Sequence, residues 1–460
     1  MNKFLFLFIS INFLYSQNNG LNIKSIFSTE YFSKGSIYNY TQDESTIINS
    51  LSLNFSKVSK NISITSSFNF LIGNNISDST VFLNPNLNFE NSRGFYNNNN
   101  RWYQSSDFEI KYKTSESFQI YFGKNRTQWG EGNSSLFLSN NTPSYPQSGF
   151  SWNILELLNF EYFYGSLSSQ INDTTTANQY IGVGKRNIFY ARSIAAHKLT
   201  WKPLPYIKLN LMELVIFGHR NIDYTYLIPF IPFWSTQSYN GDIDNIQICG
   251  EILIKLGENN FYGSLFVDEW RPEWTFDAIN RNWFGYQIGF YLTGLLKKKD
   301  LFRMEYTWTD HRVYRHRFQI NDSYSHGYSM GFWAGPHAEE LYIEYEIPFK
   351  NFNIKSFISN MKRGELTSEM LNKQYIETKE DDIYERYDNI YESRNIFSIK
   401  IEKYIFKNQY LIYFENQLID WKNPGFNPHE IISNRPDIYK DINKVSLNIG
   451  LTYMINVKIN

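Results

Sequence analysis

From Val445 to Lys458 the chain alternates without a break. Val445, Leu447, Ile449, Leu451, Tyr453, Ile455 and Val457 are interleaved with Ser446, Asn448, Gly450, Thr452, Met454, Asn456 and Lys458. Side chains on a strand point to opposite faces with a period of two, so the run predicts one apolar face and one mostly polar face. Strands of globular proteins usually run about 5 to 6 residues, whereas a tilted strand crossing a bilayer needs roughly 9 to 11. The expected class is therefore all-β, a transmembrane antiparallel β-barrel.

The amino terminus agrees with that class. Met1-Asn2-Lys3 gives a short positive region, Phe4 to Leu14 an apolar core and Ser16-Gln17 a cleavage point, so residues 1–16 read as a secretory signal peptide and 17–460 as the barrel. The apolar core is too short for the roughly 20 residues of a spanning helix. Cys249 is the only cysteine, which excludes a disulfide framework. Aromatic residues make up 18% of the chain, yet the mean hydropathy is polar. That combination is expected where lipid-facing and lumen-facing residues alternate between aromatic girdles. Lys plus Arg at 44 nearly cancels Asp plus Glu at 45, so no basic footprint points to nucleic acid.

The same alternation recurs along the chain. Phe284, Tyr286, Ile288, Phe290 and Leu292 share one face, as do Phe302, Met304, Tyr306 and Trp308, and Leu341, Ile343, Tyr345 and Ile347 with Glu344 and Glu346 opposite. At about 10 residues per strand plus connections, the mature length allows roughly 16 to 18 strands in one barrel with long extracellular loops. No fixed-period repeat suggests a propeller. The longest polar connection, residues 362–394, reads as an extracellular loop, and Asn97 to Asn100 and Ser168 to Asn178 as shorter ones.

One segment breaks the barrel pattern. Gly123 to Pro143 carries Arg126, Trp129-Gly130-Glu131-Gly132, Leu136-Phe137-Leu138, Ser139-Asn140-Asn141 and a proline. Its glycines permit positive backbone angles, and Arg126, Asn140 and Asn141 could not face lipid, so the run is expected to fold inward or cap the lumen. This run resembles the characteristic segment of the capsule-assembly Wzi family of outer-membrane proteins. Three later places are similar to that family in the same order: Leu211 to Gly218 followed by Tyr226 to Phe230; Gly241-Asp242-Ile243-Asp244-Asn245; and Tyr262-Gly263 leading to Asp268-Glu269-Trp270, then Gly331 to Tyr342. The similarity covers about residues 120–345. Glu131 and Thr142 depart from the family's usual residues, and the helical bundle that some members carry at the amino terminus has no counterpart here.

The resemblance implies an outer-membrane location and a role in binding or anchoring exported capsular or extracellular polysaccharide. Glycan sites pair flat aromatic faces with amides and carboxylates. The candidates for a polysaccharide-binding or lumen motif are Arg126, Trp129, Gly130, Gly132, Ser139, Asn140, Asn141, Asp242, Asp244, Asn245, Asp268, Glu269 and Trp270, with Arg271 beside them. For each tryptophan, packing or an interfacial girdle is the competing role. Expected partners are outer-membrane lipid, lipopolysaccharide, surface polysaccharide and the polysaccharide export machinery. No cofactor, metal site or enzymatic activity is expected, because none of the seven histidines sits in a nucleophile motif and no tight ligand spacing occurs. The run His311 to Arg317 reads as a solvated polar loop that could meet phosphate or an acidic glycan. The alternative function is a diffusion or uptake porin for small solutes, since a barrel of this size can hold an aqueous channel.

Overall fold

The computed structural model describes residues 20–37, 44–74, 100–175, 188–220, 222–270, 282–350, 352–366, 386–387, 390–406, 408–424 and 441–459. The expected signal segment 1–16, Asn97 to Asn99, Arg271, His429 and most of the 362–394 connection lie outside the described residues. Among the described residues, eighteen strands form one antiparallel sheet in which every strand pairs with its sequence neighbours. The first strand, Leu21–Phe32, closes the sheet on the last, Ile442–Ile459, in register from Leu21 opposite Ile459 to Phe32 opposite Asn448. Closure removes the unpaired edge that a hydrocarbon environment could not satisfy.

The alternation of the last strand becomes an outside and an inside. Val445, Leu447, Leu451, Ile455 and Val457 are exposed, while Ser446, Asn448 and Gly450 are buried. Their donors find partners within the lumen: Ser446 Oγ donates to Gln417 Oε1 at 3.2 Å and Asn448 Nδ2 to Glu415 Oε2 at 3.4 Å. The strands Trp283–Thr293 and Ala338–Pro348 obey the same rule, with Gln287, Glu340 and Glu344 buried and Tyr286 and Ile288 exposed. The barrel is thus inside out relative to a globular sheet: its largest apolar surface faces outward.

Connections alternate in length around the barrel. Short turns such as that between Phe118–Asn125 and the strand before it lie at the end that carries Leu21 and Ile459, and the long connections lie at the other end. The two ends of the 362–394 connection are strand, in Asn353–Gly364 and Tyr391–Ile405. No helix among the described residues is long and apolar enough to cross a membrane.

Candidate functional site: a plugged lumen with a cavity in its wall

Two of the long connections turn into the barrel and interlock. The first, residues 126–144, enters from the strand Phe118–Asn125; the second, 310–337, lies between Leu301–Thr309 and Ala338–Pro348. Ser139 N donates to Met330 O at 2.7 Å, Ser139 Oγ to Gly331 O at 2.6 Å and Asn141 Nδ2 to Gly331 O at 2.8 Å. In return Trp333 N donates to Ser134 Oγ at 2.8 Å and Tyr314 OH to Leu136 O at 2.6 Å. Lumen-facing wall residues hold the pair. Glu251 accepts the Glu131 N–H at 3.0 Å, Glu305 the Asn133 N–H at 2.8 Å, and Gln287 Nε2 donates to Ser134 O at 3.0 Å.

The sequence makes this fold possible at two glycines. Gly130 sits at a φ of +118° with Ser135 Oγ 2.1 Å from where a Cβ would be, and a Cβ on Gly331 would lie 2.3 Å from Leu136 O. Between the loops and the inner wall lies a continuous apolar core that includes Leu136, Phe137, Leu138, Phe163, Leu214, Phe266, Tyr314 and Phe332. Buried apolar area on this scale fixes the loops in place, because each fully buried large side chain contributes about 1.5 to 3 kcal/mol.

Within the run His311 to Arg317, residues 312–315 are buried against this core, while Arg317 stays exposed. Val313 and Tyr314 are fully buried, and Arg312 and Arg315 nearly so. The reason is local charge pairing: Arg312 Nε meets Asp310 Oδ1 at 2.9 Å, Arg315 Nη1 meets Asp322 Oδ2 at 3.3 Å, and Tyr314 N donates to Asp268 Oδ2 at 2.6 Å. Burial pushes the His311 imidazole down to about 4, against the opposing pull of Asp310, and pushes His337 down to about 3. His337 Nδ1 lies 2.8 Å from Glu365 O, and its ring stacks on Tyr387 with centroids 5.2 Å apart.

The structure distributes the sequence candidates over three places. Trp129, Gly130, Gly132, Ser139 and Asn141 lie in the first inward loop, with Arg126 and Asn140 exposed on it. The buried Trp129 indole is enclosed by Phe137, stacked at 6.3 Å, Lys198 Nζ at 4.9 Å and Phe163 edge-on at 5.3 Å. Asp244 and Asn245 tie loops together: Asp244 Oδ2 accepts from Arg220 Nη2 at 2.5 Å and Tyr226 OH at 2.7 Å, and Asn245 Nδ2 donates to Asn321 O at 2.9 Å. Asp242 is exposed and its carbonyl accepts from Arg317. Asp268 is buried against the second inward loop, whereas Glu269 and Trp270 are exposed at the end of their strand.

Of these candidates only Asn141 borders the cavity that the plug leaves against the wall. That cavity, about 270 Å³, is bounded by Asn133, Ser134, Asn141 and Trp333 from the loops and by inward residues of Ala338–Pro348, Asn353–Gly364 and Tyr391–Ile405. At about 30 Å³ per water it holds roughly nine waters, the size class of one sugar ring. Its aromatic faces are Trp333, Tyr342 and Phe357, the last two stacked with centroids 5.9 Å apart. Its charges are Glu340 and Glu344 against Lys355 and Arg394. Glu340 accepts from Trp333 Nε1 at 2.7 Å and Ser359 Oγ at 2.6 Å, and Lys355 Nζ lies 2.8 Å from Glu344. Arg394 stacks 4.1 Å from the Trp333 centroid and 5.5 Å from that of Trp421. Apart from Asn141, sequence reasoning did not single out these residues as a site. Glu340, Tyr342 and Glu344 carry the inward signal of period two, but so does every lumen residue.

Neither any protein-family model nor any curated protein matches the sequence. Among solved structures, Wzi of Escherichia coli, a carbohydrate-binding β-barrel involved in group 1 capsule assembly, superposes with a TM-score of 0.55 at 12% identity, over 94% of this chain and 83% of that one. This chain has the fold of an outer-membrane β-barrel. OccAB1 of Acinetobacter baumannii, with a TM-score of 0.49 at 9% identity over 96% and 97% of the two chains, and OccD3 of Pseudomonas aeruginosa, with 0.46 at 9% over 96% and 92%, are also similar. At such identities the likeness is one of fold, and it leaves the function to the residues of this chain.

Proposed function

We propose that the protein is a non-enzymatic outer-membrane barrel that binds exported polysaccharide at the cell surface, with its long connections outside the cell. The observation that carries this reading is the cavity at the edge of the plug, where the aromatic rings of Trp333, Tyr342 and Phe357 line the same space as Asn133, Asn141, Glu340 and Arg394. Aromatic faces cover the C–H side of a pyranose while amides and charged groups bond its hydroxyls. The interlocked loops support retention over passage, because a porin keeps a continuous aqueous path whereas here the lumen carries an apolar core. The fold shared with the carbohydrate-binding Wzi is consistent with this reading and does not carry it.

Deleting the gene and measuring cell-attached against released polysaccharide, with the total recorded in the same cultures, tests the proposal. A shift toward released polymer at constant total is the expected result. No shift, together with large stable conductance of the reconstituted protein, would establish the porin instead.

A further inference from the structure

A third long connection leaves the barrel in the opposite sense. Residues 222–240, in the connection between Ile207–Gly218 and Asn245–Leu256, fold over the outer wall, not into the lumen. The register fixes the side: Met212, Leu214 and Ile216 belong to the luminal core, so their neighbours Glu213, Val215 and Phe217 face outward. Val215 and Phe217 pack with Phe160, Tyr162 and Ala195 against Tyr226 and Phe233 of the connection. Phe230 reaches further along the wall and stacks on Phe160 with centroids 5.2 Å apart.

The wall beneath this flap is polar in a way that bare lipid contact would not tolerate. His197 Nε2 lies 2.7 Å from Glu213 Oε2, and His197 Nδ1 lies 3.1 Å from Pro229 O. Glu213 also accepts the N–H groups of Phe233 at 2.9 Å and Trp234 at 3.0 Å. These open the helix Phe233–Asn240, whose N-cap residue Pro232 supplies no capping side chain. A carboxylate from the barrel wall therefore caps the flap's helix. Tyr162 OH donates to Tyr226 O at 2.8 Å, and the Asp223 N–H donates to Tyr164 OH at 3.3 Å.

The flap's other side is apolar and uncovered. Tyr224 is 81% exposed, Phe230 61%, Trp234 59% and Tyr239 85%, with Ile222 and Ile228 beside them. This surface runs on from exposed outward wall residues such as Leu211 and Trp201. We propose that residues 222–240 form a lipid-contacting collar, seated in the bilayer against the outer wall, whose polar underside is sealed by the His197–Glu213 pair and whose outer face meets acyl chains. Continuity with the lipid-facing wall identifies the occupant. Water on that face would leave a large aromatic patch solvated, and the polar pair beneath would need no cover.

Cys249 is buried in the luminal core, so single cysteines placed elsewhere can be labelled selectively. Trp234→Cys and Tyr224→Cys, each carrying a nitroxide and reconstituted in phosphatidylcholine vesicles, are compared with Leu211→Cys as the lipid reference and Glu116→Cys, in a turn, as the water reference. The expected result is faster relaxation by oxygen than by a water-soluble nickel chelate at both flap positions, as at Leu211→Cys. Relaxation like that of Glu116→Cys at both positions would overturn the proposal. Spin–spin broadening between labels would overturn it too, by making a second copy of the chain the occupant. Neither result bears on polysaccharide retention.

Discussion

The guanidinium of Arg394 lies 4.1 Å from the ring centroid of Trp333, so a strand of the barrel wall and a loop of the plug meet face to face at the rim of the cavity. Trp421 holds the same guanidinium from another direction at 5.5 Å. Such stacking is worth on the order of 2 kcal/mol when desolvated, and it leaves the planar edge of the guanidinium in a fixed orientation. The cavity is therefore preorganised, its aromatic and charged groups set before any ligand arrives.

If that cavity takes a sugar, Trp333→Ala and Glu340→Gln should each weaken binding of polysaccharide fragments by roughly tenfold, about 1.4 kcal/mol, while the folded barrel still shifts on heat-modifiability gels. Titration calorimetry with fragments of the cognate polymer measures it. Unchanged affinity in both variants would move the site elsewhere, with the exposed loop residues Arg126 and Asn140 next to be tested.

How far the sequence revealed these features depends on whether one period described them. The last strand announces both faces, and its exposed Val445 and buried Ser446 lie where alternation puts them. The inward fold of residues 126–144 was legible because Arg126, Asn140 and Asn141 have no place on a lipid-facing surface. The cavity was not legible, since Glu344 and Phe357 become neighbours only through register and Arg394 arrives from a further strand. The burial of Arg312 to Arg315 was hidden for a related reason: a run so rich in cations looks solvated until Asp268 and Asp322 are brought against it. The flap was hidden because Tyr226, Phe233 and Thr236 face the wall in no regular spacing.

Glu213→Ala should loosen the flap without disturbing the sheet. It removes the acceptor of two helix-opening N–H groups and the partner of His197. Charge-assisted hydrogen bonds are worth about 1.5 to 3 kcal/mol, so proteolytic cleavage within 222–240 in detergent should rise at least tenfold. Glu213→Gln, which can still accept, should lie between the variant and the native chain. A cleavage rate unaltered in Glu213→Ala would show that the apolar contacts of Phe233 and Tyr226 hold the flap unaided.

Acid should loosen the plug. His311 and His337 have pKa values lowered from the ordinary value near 6.5 to about 4 and about 3, so both are neutral in the folded lumen at neutral pH. An unfolded or expelled loop binds more protons than the folded one below about 6.5. The contribution of these rings is thus complete above that pH and is lost as pH falls from about 6.5 through about 4 and 3. Asp310, held below the ordinary carboxylate range by His311 and Arg312 against the effect of burial, acts in the same direction at still lower pH. Hydrogen exchange in residues 310–337 should accelerate between pH 7.5 and 4.5 after correction for the intrinsic rate, and His311→Gln should blunt the change. Equal corrected exchange at both values would show that the imidazoles are not coupled to plug docking.

Gly331 packs directly against the other inward loop, and it provides the sharpest test of the closed lumen. A Cβ there would lie 2.3 Å from Leu136 O and 2.6 Å from Tyr314 OH, both of them buried groups with no room to move apart. Overpacking of this kind costs typically about 1 to 3 kcal/mol, and Gly331→Ala would also displace the carbonyl that accepts from Ser139 and Asn141. The sheet ladders do not pass through this residue, so the variant should still insert and resist denaturant as a barrel. Single-channel recording in a planar bilayer is the measurement. The native protein should show little or no steady current, and Gly331→Ala should show frequent openings as the loops part. Large steady current from the native protein would mean that water passes around the plug, and closed traces from the variant would mean that the wall contacts of Glu251 and Glu305 suffice to hold each loop without its partner.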